Sequence, residues 1–406
     1  MKIISQRMRR KFWLNIHLYF GLITGMFFIV IGITGSLLVF EQPLDEWLNK
    51  ELMTPPVYSQ QNAQMPIDVI MQAALKAVPS NGRAINLDFP KHEGTAFVLW
   101  FEQISSSNSE DLERHQIFIN PYTADIMGQR LLIDFKHIWR DPLVDFILRL
   151  HYSLGLASVG MNIVGFMGLG LLCTIFTGLL LWWPASLKQL KKVFSIKWKS
   201  SAERFNYDLH KSFGALSFII LLLLIVSGLY LVFPKYGQGL IEKFSPIAPA
   251  WPLYQSTVEN QTRQSMSLRD ILAIADSHFP ESKYRYIIFP TGADGVYEVG
   301  KTAMNEPNQR HPSYRIWIDP YTGKIFEIRN DTLSSAGDTF IKWLYLFHTG
   351  EAFGLTGQLI VLFMGFVPLL LYVTGFKRWQ QKLRVRKFHE SQKINGMMRH
   401  YDWVSK

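Results

Sequence analysis

The chain has 406 residues and a formal net charge of +10, with 48% hydrophobic, 14% aromatic and 18% charged residues. That composition excludes a disordered or collagen-like polypeptide, and the lone Cys173 excludes a disulfide framework and a multi-cysteine zinc or iron–sulfur centre. The mean hydropathy of +0.08 averages two unlike populations, which separate along the chain.

A basic N-terminus, residues 1–11, carries Lys2, Arg7, Arg9, Arg10 and Lys11. The apolar run that follows, 12–40, is about twice the length of a 7–15-residue signal core and lacks a small-residue cleavage site, so it reads as an uncleaved membrane anchor. Residues 41–150 form a polar domain. In it, 66–78 has helical spacing of apolar positions, and 84–89, 96–101 and 116–119 have strand-like alternation. Ser105-Ser-Ser-Asn-Ser109 reads as a loop insertion, and Asn120-Pro-Tyr-Thr-Ala124 as a turn between strands. A second membrane segment, 151–183, is nearly free of charge from 162 onward. After a short basic loop, 184–209, comes a third segment, 210–233, with its apolar run over 213–233. A second polar domain, 234–347, repeats the earlier pattern: helical spacing at 267–278, strand-like runs at 284–289, 296–299 and 314–318, and the turn Asp319-Pro-Tyr-Thr-Gly323. The fourth segment, 348–376, is apolar over 355–376, and a basic tail, 377–406, follows. Each apolar run is long enough to cross about 30 Å of hydrocarbon, and Trp182, Trp183 and Trp379 stand at segment ends, where aromatic rings favour the headgroup layer.

Lys and Arg number 5 before the first segment, 6 in the loop 184–209 and 9 in the tail. Long polar domains translocate largely regardless of charge. Both termini and the short loop are therefore expected in the cytoplasm, with both polar domains outside. The net charge is a topology signal rather than a nucleic-acid footprint, and the tail can also touch anionic lipid.

The chain also reads as written twice. Ile16-His-Leu-Tyr-Phe-Gly-Leu22 aligns with Leu209-His-Lys-Ser-Phe-Gly-Ala215, and on the same offset Gly35 meets Gly228 and Leu38-Val-Phe40 meets Leu231-Val-Phe233. The two Pro-Tyr-Thr turns correspond, and His151 falls opposite His348. Each half runs span, outside domain, span from the same side, which makes a parallel repeat. The expected fold is a four-helix membrane bundle with two small α+β modules.

Four of the eleven histidines sit at repeat-equivalent places near span ends: His17 and His210 at the cytoplasmic edge, His151 and His348 at the outer edge. An ionisable side chain in or beside a span is by default a functional candidate. Gly21, Gly214 and Gly155 each follow a histidine by four residues, on one face of a continuous helix, and so offer a bare patch for a flat macrocycle. A single interfacial histidine is ordinarily only an amphipathic anchor; four in a two-fold pattern ask for more. Symmetry pairs His17 with His210 and His151 with His348. Imidazole pairs without Cys, Asp or Glu suit a bis-histidine haem better than tetrahedral zinc. The absence of Cys-x-x-Cys-His makes such a haem b-type, two per chain. Taking about 23 helical residues between the two levels gives a spacing of ~35 Å. His137, His389 and His400 have no repeat mate; His92, His115, His278 and His311 are expected as solvated residues of the polar domains. Gly21-x-x-x-Gly25 reads as a helix-packing face, and Cys173 as a small buried apolar residue.

The His-x-x-x-Gly openings, Thr177-Gly-Leu-Leu-Leu-Trp-Trp-Pro184, Leu346-Phe-His-Thr-Gly-Glu-Ala-Phe-Gly354, Val373-Thr-Gly-Phe-Lys377 and the Pro-Tyr-Thr turns together resemble the PepSY-associated transmembrane family over roughly residues 10–380. The resemblance implies four transmembrane helices with two periplasmic PepSY modules in a Gram-negative inner membrane. It further implies a di-haem oxidoreductase that takes electrons from a cytoplasmic donor or quinol and reduces a ferric siderophore or other ferric chelate. Two other readings stand beside it: a haem-free PepSY protein that binds or regulates a periplasmic partner, and a permease for the iron complex, for which four spans around two haems leave little room.

Overall fold

The computed structural model describes residues 6–56, 63–104, 112–134, 136–184, 186, 194–249, 254–256, 264–304 and 312–404, with side chains between Met8 and Arg386. The expected loop insertion at 105–109 and His311 lie outside the described residues, as do the side chains of His389 and His400. The chain divides into two compact units, Met1–Val39 with Leu150–Pro234 and Gln358–Lys406, and Phe40–Arg149 with Lys235–Gly357.

In chain order the elements are α1 (Gln6–Leu38), α2 (Glu41–Leu48), α3 (Ile67–Ala77), β1 (Gly82–Asp88), β2 (Phe97–Ile104), β3 (Leu112–Ile119), β4 (Ile126–Asp134), α4 (Leu143–Ser153), α5 (Ala157–Trp182) and α6 (Ala202–Val232). Then follow α7 (Leu268–His278), β5 (Ser282–Ile288), β6 (Tyr297–Ala303), β7 (Tyr314–Ile318), β8 (Ile325–Asn330), α8 (Ala336–Thr349), α9 (Gly354–Met364) and α10 (Val367–Val404).

Four helical stretches are long and apolar enough to cross a membrane: Met8–Leu38, Ala157–Trp182, Ala202–Val232 and Glu351–Arg386. The shortest has 26 residues, about 39 Å at 1.5 Å per residue, against roughly 30 Å of hydrocarbon. The chain is thus a membrane protein. The third stretch starts eleven residues before its apolar run because Ser201 accepts a hydrogen bond from the Arg204 amide (3.3 Å) and caps a polar first turn. The fourth is broken at Gly365-Phe366, where Pro368 removes an amide donor and crowds the Met364 carbonyl.

In the first unit, α1 and α6 each pack against both α5 and α10. Small residues set the approach. A Cβ on Gly32 would run into the Gly365 carbonyl, and one on Gly365 into Ser36 Oγ, whose hydroxyl donates to Leu362 O (2.7 Å). Along α5, Gly170 lies against Thr24 of α1, and Gly165 against Phe233 just after α6. Without a hydrophobic drive between lipid-bathed helices, such close packing is what holds a bundle together. Cys173, expected to be buried, faces outward; on a helix surrounded by lipid an apolar side chain gains nothing by turning inward.

The second unit is an eight-stranded antiparallel sheet in the order β4-β3-β2-β1-β5-β6-β7-β8. Two four-stranded meanders meet at β1 and β5 through the pairs Asn86–Ile288, Leu87–Ile287 and Asp88–Tyr286. One helix belongs to each meander. On α3 the residues Ile70 and Ala74, and on α7 Ile271 and Ala275, are fully buried, against Leu87, Leu99 and Ile117 in one core and Ile287, Val299 and Ile316 in the other. The strands β4 and β8 had no marked signal of their own: Ile126–Asp134 contains Gly128 and Arg130, and its partly exposed edge position relaxes the alternation. Both turns place their fifth residue in the left-handed region, Ala124 at φ 59° and Gly323 at φ 70°. His115 departs from a solvated histidine. Its ring stacks on Phe101 at 5.1 Å and bonds to Glu113 (3.1 Å) and Gln103 (3.1 Å).

Candidate functional site

Inside the helical unit, His17 of α1 and His210 of α6 come together. Their ring centroids are 6.1 Å apart and their planes stand at 81°. Each ring is held from the neighbouring helix in the same way. His17 Nδ1 lies 3.0 Å from Thr174 O and 3.3 Å from Thr177 Oγ1 on α5; His210 Nδ1 lies 3.1 Å from Leu371 O and 2.9 Å from Thr374 Oγ1 on α10. A carbonyl can only accept. The threonine hydroxyls already donate to their own helices, Thr177 to Cys173 O (2.8 Å) and Thr374 to Leu370 O (2.7 Å). The proton must therefore reside on Nδ1, which fixes the tautomer and leaves the Nε2 lone pair uncommitted. Among the described residues neither Nε2 has a hydrogen-bond partner.

The residue after each threonine is glycine. A Cβ on Gly178 would stand 2.9 Å from His17 Cε1, and one on Gly375 would stand 3.3 Å from His210 Cε1. His151, in the last turn of α4, repeats the arrangement on α1: Nδ1 is 2.9 Å from Ile31 O and 3.2 Å from Thr34 Oγ1, and a Cβ on Gly35 would approach Cε1 to 2.8 Å. The bare patch thus lies on the neighbouring helix, at a Thr-Gly dipeptide, rather than on the histidine's own helix as the spacing suggested. That signal was present at Thr34-Gly35, Thr177-Gly178 and Thr374-Gly375, with Ser227-Gly228 as a fourth instance.

The glycines that sequence spacing singled out divide. Gly21 and Gly214 line the cavity beside the two rings, whereas α4 ends at Ser153 and Gly155 sits in the following turn at φ 73°. The i, i+4 face that the spacing assumed does not exist at His151. His348 is likewise in the last turn of its helix, α8, which Gly350 ends in the left-handed conformation at φ 81°. The spacing between histidine levels is also shorter than the ~35 Å expected. His151 docks on Thr34, seventeen residues beyond His17 on α1, a rise of about 25 Å.

The cavity holding His17 and His210 has a volume of about 480 Å³, within the range of small-molecule and cofactor sites. Its walls are leucines, Ile175, Phe218 and five glycines; its end carries Arg10, Tyr207, Lys211, Arg378 and Lys382. The donor set fits a bis-imidazole haem. His17 and His210 would hold it, their rings 6.1 Å apart and each Nδ1 engaged by the neighbouring helix. No group of three or more His, Cys, Asp or Glu suited to a metal ion occurs among the described residues, which disfavours a tetrahedral ion.

These features accompany a match to the family model described as PepSY-associated TM region, over residues 14–382. The chain belongs to the PepSY-associated TM family. No curated protein matches it. The other described histidines of this PepSY-associated chain have local partners: His137 with Asp134 (3.2 Å), His92 with Glu46 (3.3 Å), and His278 with its own helix at Ile274 O (3.0 Å). The last residues of the tail, past 382, fall beyond the family match.

Proposed function

We infer that this PepSY-associated membrane protein is an oxidoreductase of the bacterial inner membrane that carries two b-type haems. It takes electrons from a cytoplasmic donor or quinol and delivers them to a periplasmic ferric siderophore or similar chelate. Both termini lie in the cytoplasm, both α+β modules lie in the periplasm, and the halves form a parallel repeat. His17 with His210 hold one haem, and His151 with His348 hold the other. The observation that carries the reading is the facing pair His17–His210, 6.1 Å between centroids, with both Nδ1 protons committed to neighbouring helices.

When bound, the group supplies one-electron chemistry. The chain supplies the rest. Thr177 and Thr374 hold the Nδ1 proton and so keep Nε2 basic and oriented, as outer-shell partners do for metal-bound histidine. Gly178 and Gly375 let the rings lie flush against α5 and α10, and the apolar walls keep water away. Ferric iron reduced in the periplasm leaves hard oxygen chelators more readily because Fe(II) binds them more weakly.

The test is a dithionite-reduced minus oxidised spectrum of the purified protein with haem quantitation. Two haems per chain and b-type bands support the reading. A folded, colourless preparation sinks it and returns the chain to the haem-free, partner-binding alternative.

A further inference from the structure

Four cationic side chains stand among the residues lining the His17–His210 cavity: Arg10, Lys211, Arg378 and Lys382. Among the described residues Arg10, Arg378 and Lys382 have no carboxylate partner, and Lys211 shares one, Asp208, at 3.3 Å. Asp208 itself is fully buried and already accepts from Arg204 Nε (3.1 Å) and the Lys197 amide (3.3 Å). Tyr207 gathers the cations further, with Arg378 at 5.5 Å, Arg204 at 5.7 Å and Lys211 at 5.9 Å from its ring. Trp182, also lining the cavity, has a buried indole N–H with no acceptor among the described residues.

Like charges gathered at a low-dielectric mouth repel, and a buried donor without an acceptor costs free energy. Both conditions are relieved by one kind of occupant, an anion with several acceptor oxygens. The elements agree on direction. Arg10 stands near the start of α1, Trp182 ends α5, Lys211 lies early on α6 and Arg378 follows the apolar part of α10, so all five donors gather at one end of the bundle.

We propose that this rim reads the acid edge of the bound macrocycle: Arg378, Lys382, Arg10 and Lys211, with the Trp182 N–H, take the two propionate carboxylates of haem b and set which way round it enters. The proposal rests on the haem reading above. It assigns these residues binding and orienting roles in place of the positive-inside and interfacial roles that their positions alone suggest.

The test is titration of haem-depleted protein with hemin and with hemin dimethyl ester, which keeps the iron and ring but lacks both acids. Wild type is expected to bind hemin tighter than the ester by roughly tenfold or more. Arg378→Gln combined with Lys382→Gln should bring hemin down to the ester's affinity, and Arg378→Lys should restore part of the difference. Equal binding of hemin and ester by wild type overturns the proposal while leaving the haem reading intact. So does a wild type that retains anionic phospholipid, lost on Arg378→Gln, with no preference between the two macrocycles. Failure of wild type to bind hemin at all overturns the haem reading and the proposal with it. The wild-type comparison needs no variant to fold.

Discussion

A histidine that ligates metal is only as good as the group that holds its other nitrogen, and here that group is a threonine followed by glycine. Thr374→Val keeps the shape and removes the hydroxyl, while Leu371 O still accepts from His210 Nδ1. The expected outcome is unchanged haem content with a midpoint potential raised by roughly 40 mV, since loss of about 1 kcal/mol of hydrogen bonding makes the imidazole a poorer donor to ferric iron; potentiometric titration measures it. Gly178→Val should act differently, pushing His17 aside and lowering haem from two to one per chain by absorbance. His17→Ala and His210→Ala should each do the same; unchanged content in both would refute the ligand assignment. In the modules, Ala124 tolerates a left-handed φ of 59°, so Ala124→Gly should stabilise by about 1 kcal/mol in thermal unfolding. Gly323→Ala should cost more than that gain, because the new Cβ also meets Ile274 Cδ1 at 3.0 Å. The histidines and the unusual Ala124 were legible from spacing and repeat register. The Thr-Gly pairs stand in the sequence too, but nothing local ties Thr177 or Thr374 to a histidine some 160 positions away.

At the scale of elements, hydropathy located the four spans, and alternation located six of the eight strands. Packing faces were harder. The sequence drew attention to Gly21-x-x-x-Gly25, yet of the α1 glycines it is Gly32 that packs most closely on another helix, against Gly365, which also meets Ser36. A small-residue spacing marks a face on one helix; it is silent about the partner more than 300 residues on. Gly365→Leu is therefore expected to prevent α1 and α10 from closing, at a cost of more than about 3 kcal/mol, seen as loss of the monodisperse peak in detergent. Gly25→Ala, whose Cβ would meet only the edge of Tyr372 at 3.1 Å, should be far milder. The break at Gly365-Phe366 was written in Pro368, but apolar content masks a broken helix as readily as a straight one.

For the molecule as a whole, an acidic group beside the sheet makes stability depend on pH. Burial pushes the Asp145 carboxyl up to about 7, with Arg130 opposing and Asp45, Glu41 and Asp141 adding to the rise. Its folded pKa lies above the unfolded value, so the folded state binds the extra proton between about pH 4 and 7 and loses that stability as pH rises through 7. Asp145→Asn should accordingly raise the unfolding midpoint at pH 8, by an effect on the order of 2 kcal/mol, and change little at pH 4; equal shifts at both would contradict this origin. The seam between β1 and β5 has a consequence for the chain's integrity. Each meander offers the other its innermost strand, so neither has a naked inner edge while the chain is whole. A polypeptide severed between Lys199 and Ser200 would leave two pieces that each carry an unpaired strand looking for backbone partners. Co-expressed, those fragments should reassemble through Leu87 and Ile287; expressed singly, each should capture a second copy of itself.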